Sequence, residues 1–236
     1  MPRTHLLIIL LVALGAAVPL FRSGLYTSHD AQHHLVRIAR FSRLLSQGQL
    51  YPRWDDSLIF NFIYPLPYYV SSLFRFLSLS IVDSFKITLI LFTLLSVLFF
   101  YLWTKHLPAT LLFLFTPYRF VNLYVRAAFG EIVFLGLLPA SFWLINKKNY
   151  TLLAIFISLL IFSHLQLSLI FLPILFLYAR TRKVIPSFII ALMISSIFWL
   201  PATYLVRYTK YTSTNQFVPS QHLPTINQLI YSPWGF

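Results

Sequence analysis

Residues 58 to 202 are a succession of apolar runs, at roughly 58–82, 85–104, 107–121, 132–145, 150–163, 165–179 and 184–202, separated by short polar or basic links. None alternates apolar and polar residues as a half-buried strand would, so the chain reads as helices with apolar surroundings on every side. A further run, Leu6 to Phe21, follows Arg3 and is expected to be a retained span with its N-terminus in the cytoplasm, because more spans follow it. Composition agrees. Of the 236 residues, 58% are hydrophobic and 10% charged, against about a quarter charged in an ordinary soluble domain. The expected fold class is all-α: one polytopic transmembrane helix bundle over residues 1–236. Several runs fall short of the ~20 residues of a straight span, so tilted, broken or re-entrant helices are expected.

Lys and Arg number 18 against 5 Asp and Glu, a formal charge of +13. In a chain this apolar the positive charge is topogenic and sits beside anionic lipid, so nucleic acid is not the expected partner. The absence of cysteine excludes thiolate nucleophiles, iron–sulfur clusters, zinc fingers and disulfide frameworks. Acid–base or metal chemistry must draw on Asp30, Asp55, Asp56, Asp83 and Glu131, the only carboxylate side chains.

Asn146-Lys147-Lys148-Asn149 and Arg180-Thr181-Arg182-Lys183 read as cytoplasmic loops by their basic content. They put Glu131, the His164/Gln166 turn, the 22–59 loop and the 203–236 segment on the outer face. Three runs separate residue 59 from Glu131, whereas two outward points need an even number of crossings. Either 58–82 lies partly in the interface or 107–121 is re-entrant, and Lys105 and His106 favour the first. The polar ending Ser232-Pro233-Trp234-Gly235-Phe236 is expected to lead into a longer protein.

The 22–59 loop carries the densest chemistry. In a helix starting near Asp30, the spacings i, i+4 and i+7 put Asp30, His34 and Arg37 within roughly 60° on one face. Leu35, Ile38, Phe41 and Leu45 form an adjoining apolar stripe, as on a helix lying along a membrane surface. Arg22, Arg37, Arg40, Arg43 and Arg53 run against the positive-inside trend, which points to a phosphate-bearing ligand as well as to simple lipid anchoring. Glu131 follows Arg126 and heads an apolar helix. It reads as a dipole-favoured cap, as an ion pair with Arg126, or as a functional carboxylate at the edge of a span. His164 with Gln166 breaks an apolar run and is either a cavity lining or a loop histidine bonded to backbone. His29, His33 and His34 beside Asp30 suggest a metal only weakly, since adjacent histidines point to different faces and no HExxH occurs.

His29-Asp30 with His34-Leu35 and Arg37, Gly48 with Tyr51-Pro52-Arg53-Trp54, Tyr64-Pro65-Leu66-Pro67-Tyr68, Tyr124-Val125-Arg126 with Gly130-Glu131, Ser163-His164 and Ser232-Pro233-Trp234 resemble, in their order, the membrane-protein family labelled 6-pyruvoyl-tetrahydropterin synthase-related. That order also resembles the wider GT-C glycosyltransferase superfamily. Two features depart from the pattern: Tyr64-Pro65-Leu66-Pro67 stands where Tyr-Pro-Pro is usual, and the first loop has one clear acidic site instead of a pair. The resemblance implies transfer of a sugar from a polyprenyl-phosphate donor to an acceptor on the outer side of the plasma membrane. It implies Asp30 and Glu131 as catalytic carboxylates. His34, Arg37, Arg53, Tyr64, Tyr124, Arg126, His164 and Trp234 would bind phosphate or sugar, and a divalent cation is left open as an aid. The competing readings are a transporter or flippase of anionic or polyprenyl-linked lipid and a non-catalytic membrane protein. Protein partners are not readable.

Overall fold

Proline, capping side chains and left-handed residues divide the apolar sequence into ten helices in the computed structural model, which describes residues 3–51 and 62–208. Arg53, Asp55, Asp56, Trp234 and most of the 203–236 segment lie outside the described residues. Helix α1 is Arg3–Ala16, followed by a single turn Val18–Phe21 that Pro19 starts. Helix α2 is Ala31–Ser46, so the loop does contain a helix beginning at Asp30. Helix α3, Leu66–Phe76, has 11 residues, about 16 Å of rise and too little to cross a bilayer. It ends where Ser78 takes φ 66°.

Helix α4, Ile81–Thr104, starts with Ser80 as its N-cap. The Asp83 amide donates to Ser80 Oγ at 3.0 Å, while the Ser80 hydroxyl donates to the Asp83 carboxylate at 2.6 Å. The 107–121 run is not one helix. Helix α5, Leu107–Leu114, stops before Pro117, α6 is the single turn Pro117–Phe120, and a π-helical turn, Val121–Arg126, closes at Ala127 with φ 54°. Then follow α7, Phe129–Asn146, α8, Tyr150–Ser163, α9, Leu165–Ala179, and α10, Ile185–Leu205. Three helical stretches are long and apolar enough to cross a membrane: α4, α7 and residues Arg182–Tyr208, which include α10.

Helices α4 and α7 pack side by side and run in the same direction. Phe85 meets Phe129 at 5.0 Å, Phe99 meets Trp143 at 5.8 Å, and between them Phe92 fills the space over Gly136. The seven-residue steps are those of knobs-into-holes packing. A Cβ on Gly136 would lie 2.7 Å from the Phe92 ring and 2.9 Å from its carbonyl oxygen, so only glycine lets the helices approach this closely. Parallel neighbours require the chain between them to travel back along the bundle, and the broken α5–α6–π segment does so. The short α3, not the 107–121 run, is therefore the one that does not traverse.

Two ends result. The Tyr178 hydroxyl donates to Asn146 Oδ1 and accepts from Trp103 Nε1, both at 2.9 Å, and the Ser187 hydroxyl donates to the Tyr150 carbonyl at 2.7 Å. His5 Nδ1 lies 2.8 Å from the Tyr101 hydroxyl. These contacts bring Arg3, Lys105, Lys147, Lys148 and the 180–183 loop to one end of the bundle. The start of α2, the head of α7 and the α8–α9 turn with His164 meet at the other.

Candidate functional site

The first loop is sewn to the chain just before α7 by backbone. The His29 amide donates to the Val125 carbonyl at 2.9 Å and the Asp30 amide to the Arg126 carbonyl at 3.1 Å. Asp30 thus occupies the N-cap of α2, yet its carboxylate does not cap the helix. The side chain stands exposed at the bundle end.

The Asp30 backbone thus joins Arg126, a member of a network centred on Glu131. Glu131 Oε1 accepts from Arg126 Nη2 at 2.7 Å, and Oε2 accepts from Asn122 Nδ2 at 2.9 Å and from the Tyr118 hydroxyl. Arg126 Nη1 donates to Asn122 Oδ1 at 2.9 Å. Glu131 is buried, whereas the Arg126 side chain keeps a third of its surface. Glu131 stands in the first turn of α7 and is ion-paired with Arg126, with both carboxylate oxygens engaged. Tyr118 and Asn122 were not expected. Their signal is a four-residue spacing, 118, 122, 126, which in a wide turn lines up donors on the side facing Glu131.

Gly130 fits Tyr64 into this end. A Cβ there would lie 2.5 Å from Tyr64 Cζ and 2.6 Å from the Ser163 carbonyl oxygen. The Tyr64 ring stacks on His164 at 5.6 Å and on Tyr68 at 6.2 Å. Burial raises the Tyr64 pKa, the Gly130 backbone and Arg37 lower it, and Asp30 and Glu131 raise it. One phenol therefore lies within electrostatic reach of both expected catalytic carboxylates and of an expected phosphate-binding arginine. His164 Nδ1 accepts the Leu167 amide at 3.2 Å, capping α9. Burial lowers the pKa of its ring, with Glu131 opposing and Arg126 assisting.

His34 lies beneath this cluster, only 2% exposed, with its ring 5.2 Å from Phe129 and 6.1 Å from Phe85. Its Nδ1 is 2.8 Å from the Tyr68 hydroxyl, and Arg37 also hydrogen-bonds that tyrosine. A guanidinium only donates, so Arg37 donates to the phenol oxygen. Burial, then the Arg37 charge, lower the His34 pKa to about 3. His34 is a neutral histidine that docks α2 on the bundle, one step behind the exposed residues.

The structure brings together Asp30, Arg37, Tyr64, Arg126, Glu131 and His164, with His34 behind them. Tyr124 is turned away: its hydroxyl donates to the Ala16 carbonyl at 2.5 Å and ties the end of α1. Arg53 and Trp234 lie outside the described residues. Among the described residues no three His, Cys, Asp or Glu side chains gather. Among the described residues at this end, both Glu131 oxygens are already taken by hydrogen-bond donors.

No family model matches the chain, and no solved structure matches it. The chain is similar to an uncharacterized protein of Lactococcus lactis subsp. cremoris (strain MG1363), 26% identical over 160 residues, covering 60% of this chain and 26% of that protein. It thus spans about a quarter of the length of the relative it matches.

Proposed function

We propose that this chain belongs to a membrane glycosyltransferase of GT-C type that moves a sugar from a polyprenyl-phosphate donor to an acceptor at the outer face of the plasma membrane. The observation that carries the proposal is the stitching of Asp30 to Arg126. An exposed carboxylate, free of any capping duty, belongs to the residue whose amide bonds the Arg126 carbonyl, and Glu131 holds the partly exposed Arg126 guanidinium in place. Asp30 takes the proton from the acceptor hydroxyl, while Arg126 and Arg37 draw off the charge developing on the phosphate leaving group. Glu131 orients Arg126, and Tyr64 offers a ring face to the sugar. Helix α2, with buried Ile38 and Phe41 on one side and Arg43 on the other, lies along the membrane surface over this end. The basic loops at the opposite end face the cytoplasm.

The test is transfer of labelled sugar from a polyprenyl-phosphate donor by membranes carrying the full protein. Asp30→Asn lowers transfer by at least ~100-fold, the usual contribution of a general base, and leaves donor binding intact. Near-normal transfer by that variant removes Asp30 as the base. A second reading, movement of an anionic lipid without sugar transfer, is favoured by one observation: Arg119 reaches the interior of the bundle against α4. Lipid movement with no glycosyl product would select it.

A further inference from the structure

Arg119 is the one arginine of the broken segment that turns inward. Pro117 restarts the helix after the break at Thr116, and the guanidinium passes under the Phe113 ring, 4.5 Å from its centroid. Nη2 donates to Ser96 Oγ at 2.6 Å, while the Ser96 hydroxyl spends its own proton on the Thr93 carbonyl at 2.7 Å. Nη1 is buried with no hydrogen-bond partner among the described residues. Ser96 lies about 22 Å along α4 from Ile81 and about 12 Å from Thr104 at 1.5 Å per residue, so with α4 crossing a bilayer this positive charge sits at hydrocarbon depth.

The described carboxylates are committed elsewhere. Glu131 holds Arg126, Asp83 is in the cap of α4, and Asp30 is exposed at the bundle end. An uncompensated ion in such surroundings costs several kcal/mol. Beside Arg119 is a cavity bounded by Ala16, Thr93, Asn122, Leu123 and Ile132. Its volume of about 20 Å³ slightly exceeds the ~10–15 Å³ that one water needs, so it takes one oxygen of a charged group, with the rest of that group outside its mouth. Thr93 and Asn122 add polar edges to walls that are otherwise apolar.

We infer that this cavity is a binding site for a compact oxyanion, with Arg119 as its counter-ion, and that the oxyanion is the head of an anionic lipid. The apolar walls and the exposed Leu112 and Phe115 on the same segment suit an acyl tail outside the cavity. The inference rests on α4 crossing a membrane and not on sugar transfer, and its test reads binding alone.

The purified full chain, in neutral detergent, is melted with increasing lyso-phosphatidate, with lysophosphatidylcholine as the zwitterionic counterpart of equal tail, and with inorganic phosphate. Lyso-phosphatidate raises Tm saturably, on the order of 5 °C, and lysophosphatidylcholine does not. Arg119→Gln removes the shift, whereas Lys147→Gln in the exposed loop after α7 keeps it. A shift with inorganic phosphate alone supports the oxyanion site and assigns it a soluble occupant. Should Arg119→Gln fail to fold, Arg119→Lys keeps the charge without the fork and weakens lyso-phosphatidate at least tenfold. Equal shifts with both lysolipids, no shift with either anion, or unchanged affinity in Arg119→Lys overturns the inference.

Discussion

Arg126 and Arg119 lie in the same interrupted segment and meet opposite fates. Arg126, at the end of the bundle, is clasped by Glu131 and Asn122 and keeps a third of its side chain in contact with the outside. Arg119, against the interior of α4, has a serine oxygen, an aromatic ring and, among the described residues, no acid. A carboxylate reaches one arginine because Glu131 projects from the first turn of α7, one residue after a glycine that lets Tyr64 and α8 close over it. No such carboxylate faces α5 and α6 from the described part of α4. The difference separates a charge held by the fold from a charge that waits for an occupant.

The largest effect expected is at the held charge. Glu131→Gln leaves Arg126 without its counter-charge at a half-enclosed site and should cost about 3 kcal/mol, less than a fully buried pair would because Arg126 is partly solvated. Chemical or thermal unfolding in detergent measures it, and a loss under ~0.5 kcal/mol would mean that Tyr118 and Asn122 alone secure Arg126.

Gly130→Ala should come next, at about 2 kcal/mol. The new methyl meets a backbone carbonyl as well as the Tyr64 ring, and only one of these can swing aside. Gly15→Ala, where nothing lies within 4 Å, is the matched control and should not destabilise. Equal melting of the two variants would show that the α7 head is looser than its geometry.

His34 makes the held end sensitive to acid. Its folded pKa, about 3, lies below the ordinary 6.5, so between those values the unfolded chain binds a proton that the folded one refuses. Stability is therefore flat above about pH 6.5 and falls as pH drops below it, by at most about 1.4 kcal/mol per unit for this one residue. His164, also lowered, adds a slope of the same sign. His34→Gln should flatten the curve in part, and an unchanged slope would place the acid sensitivity elsewhere.

The smallest effect is at the unpaired arginine. In detergent without anionic lipid, Arg119→Met should change stability by no more than about 1 kcal/mol, or raise it, because an apolar side chain of similar length replaces an uncompensated ion. A large loss would show that the Ser96 bond already satisfies the charge and would erase the contrast with Arg126.

The helices and the two ends were legible because apolar length and basic loops are strong local signals. The start of α2 at Asp30, the Arg126–Glu131 pair and the common end of Asp30, Glu131 and His164 all follow from such signals. The break of the 107–121 run was less visible, since Thr116-Pro117 is a weak punctuation inside an apolar stretch and a π turn leaves no compositional trace. Tyr118 and Asn122 stayed hidden for that reason: their roles depend on the turn's pitch. His34 illustrates the converse. The spacing that groups it with Asp30 and Arg37 is present, but a helix resting on a protein surface buries part of any face, and the aromatic side chains of α4 and α7 claimed the imidazole.

The parallel run of α4 and α7 also bears on how such a chain is made. Two strongly apolar segments descending in the same direction leave the return journey to residues 105–128, which carry Arg119 and Arg126 and offer no helix longer than eight residues. On insertion scales an arginine at mid-membrane adds about 2.5–3.5 kcal/mol, and Arg119 brings that cost to a stretch with no long helix to offset it. With α4 and α7 crossing a membrane, such a stretch would be carried in between them, and the residues of the site would come together only once both flanking helices were in place.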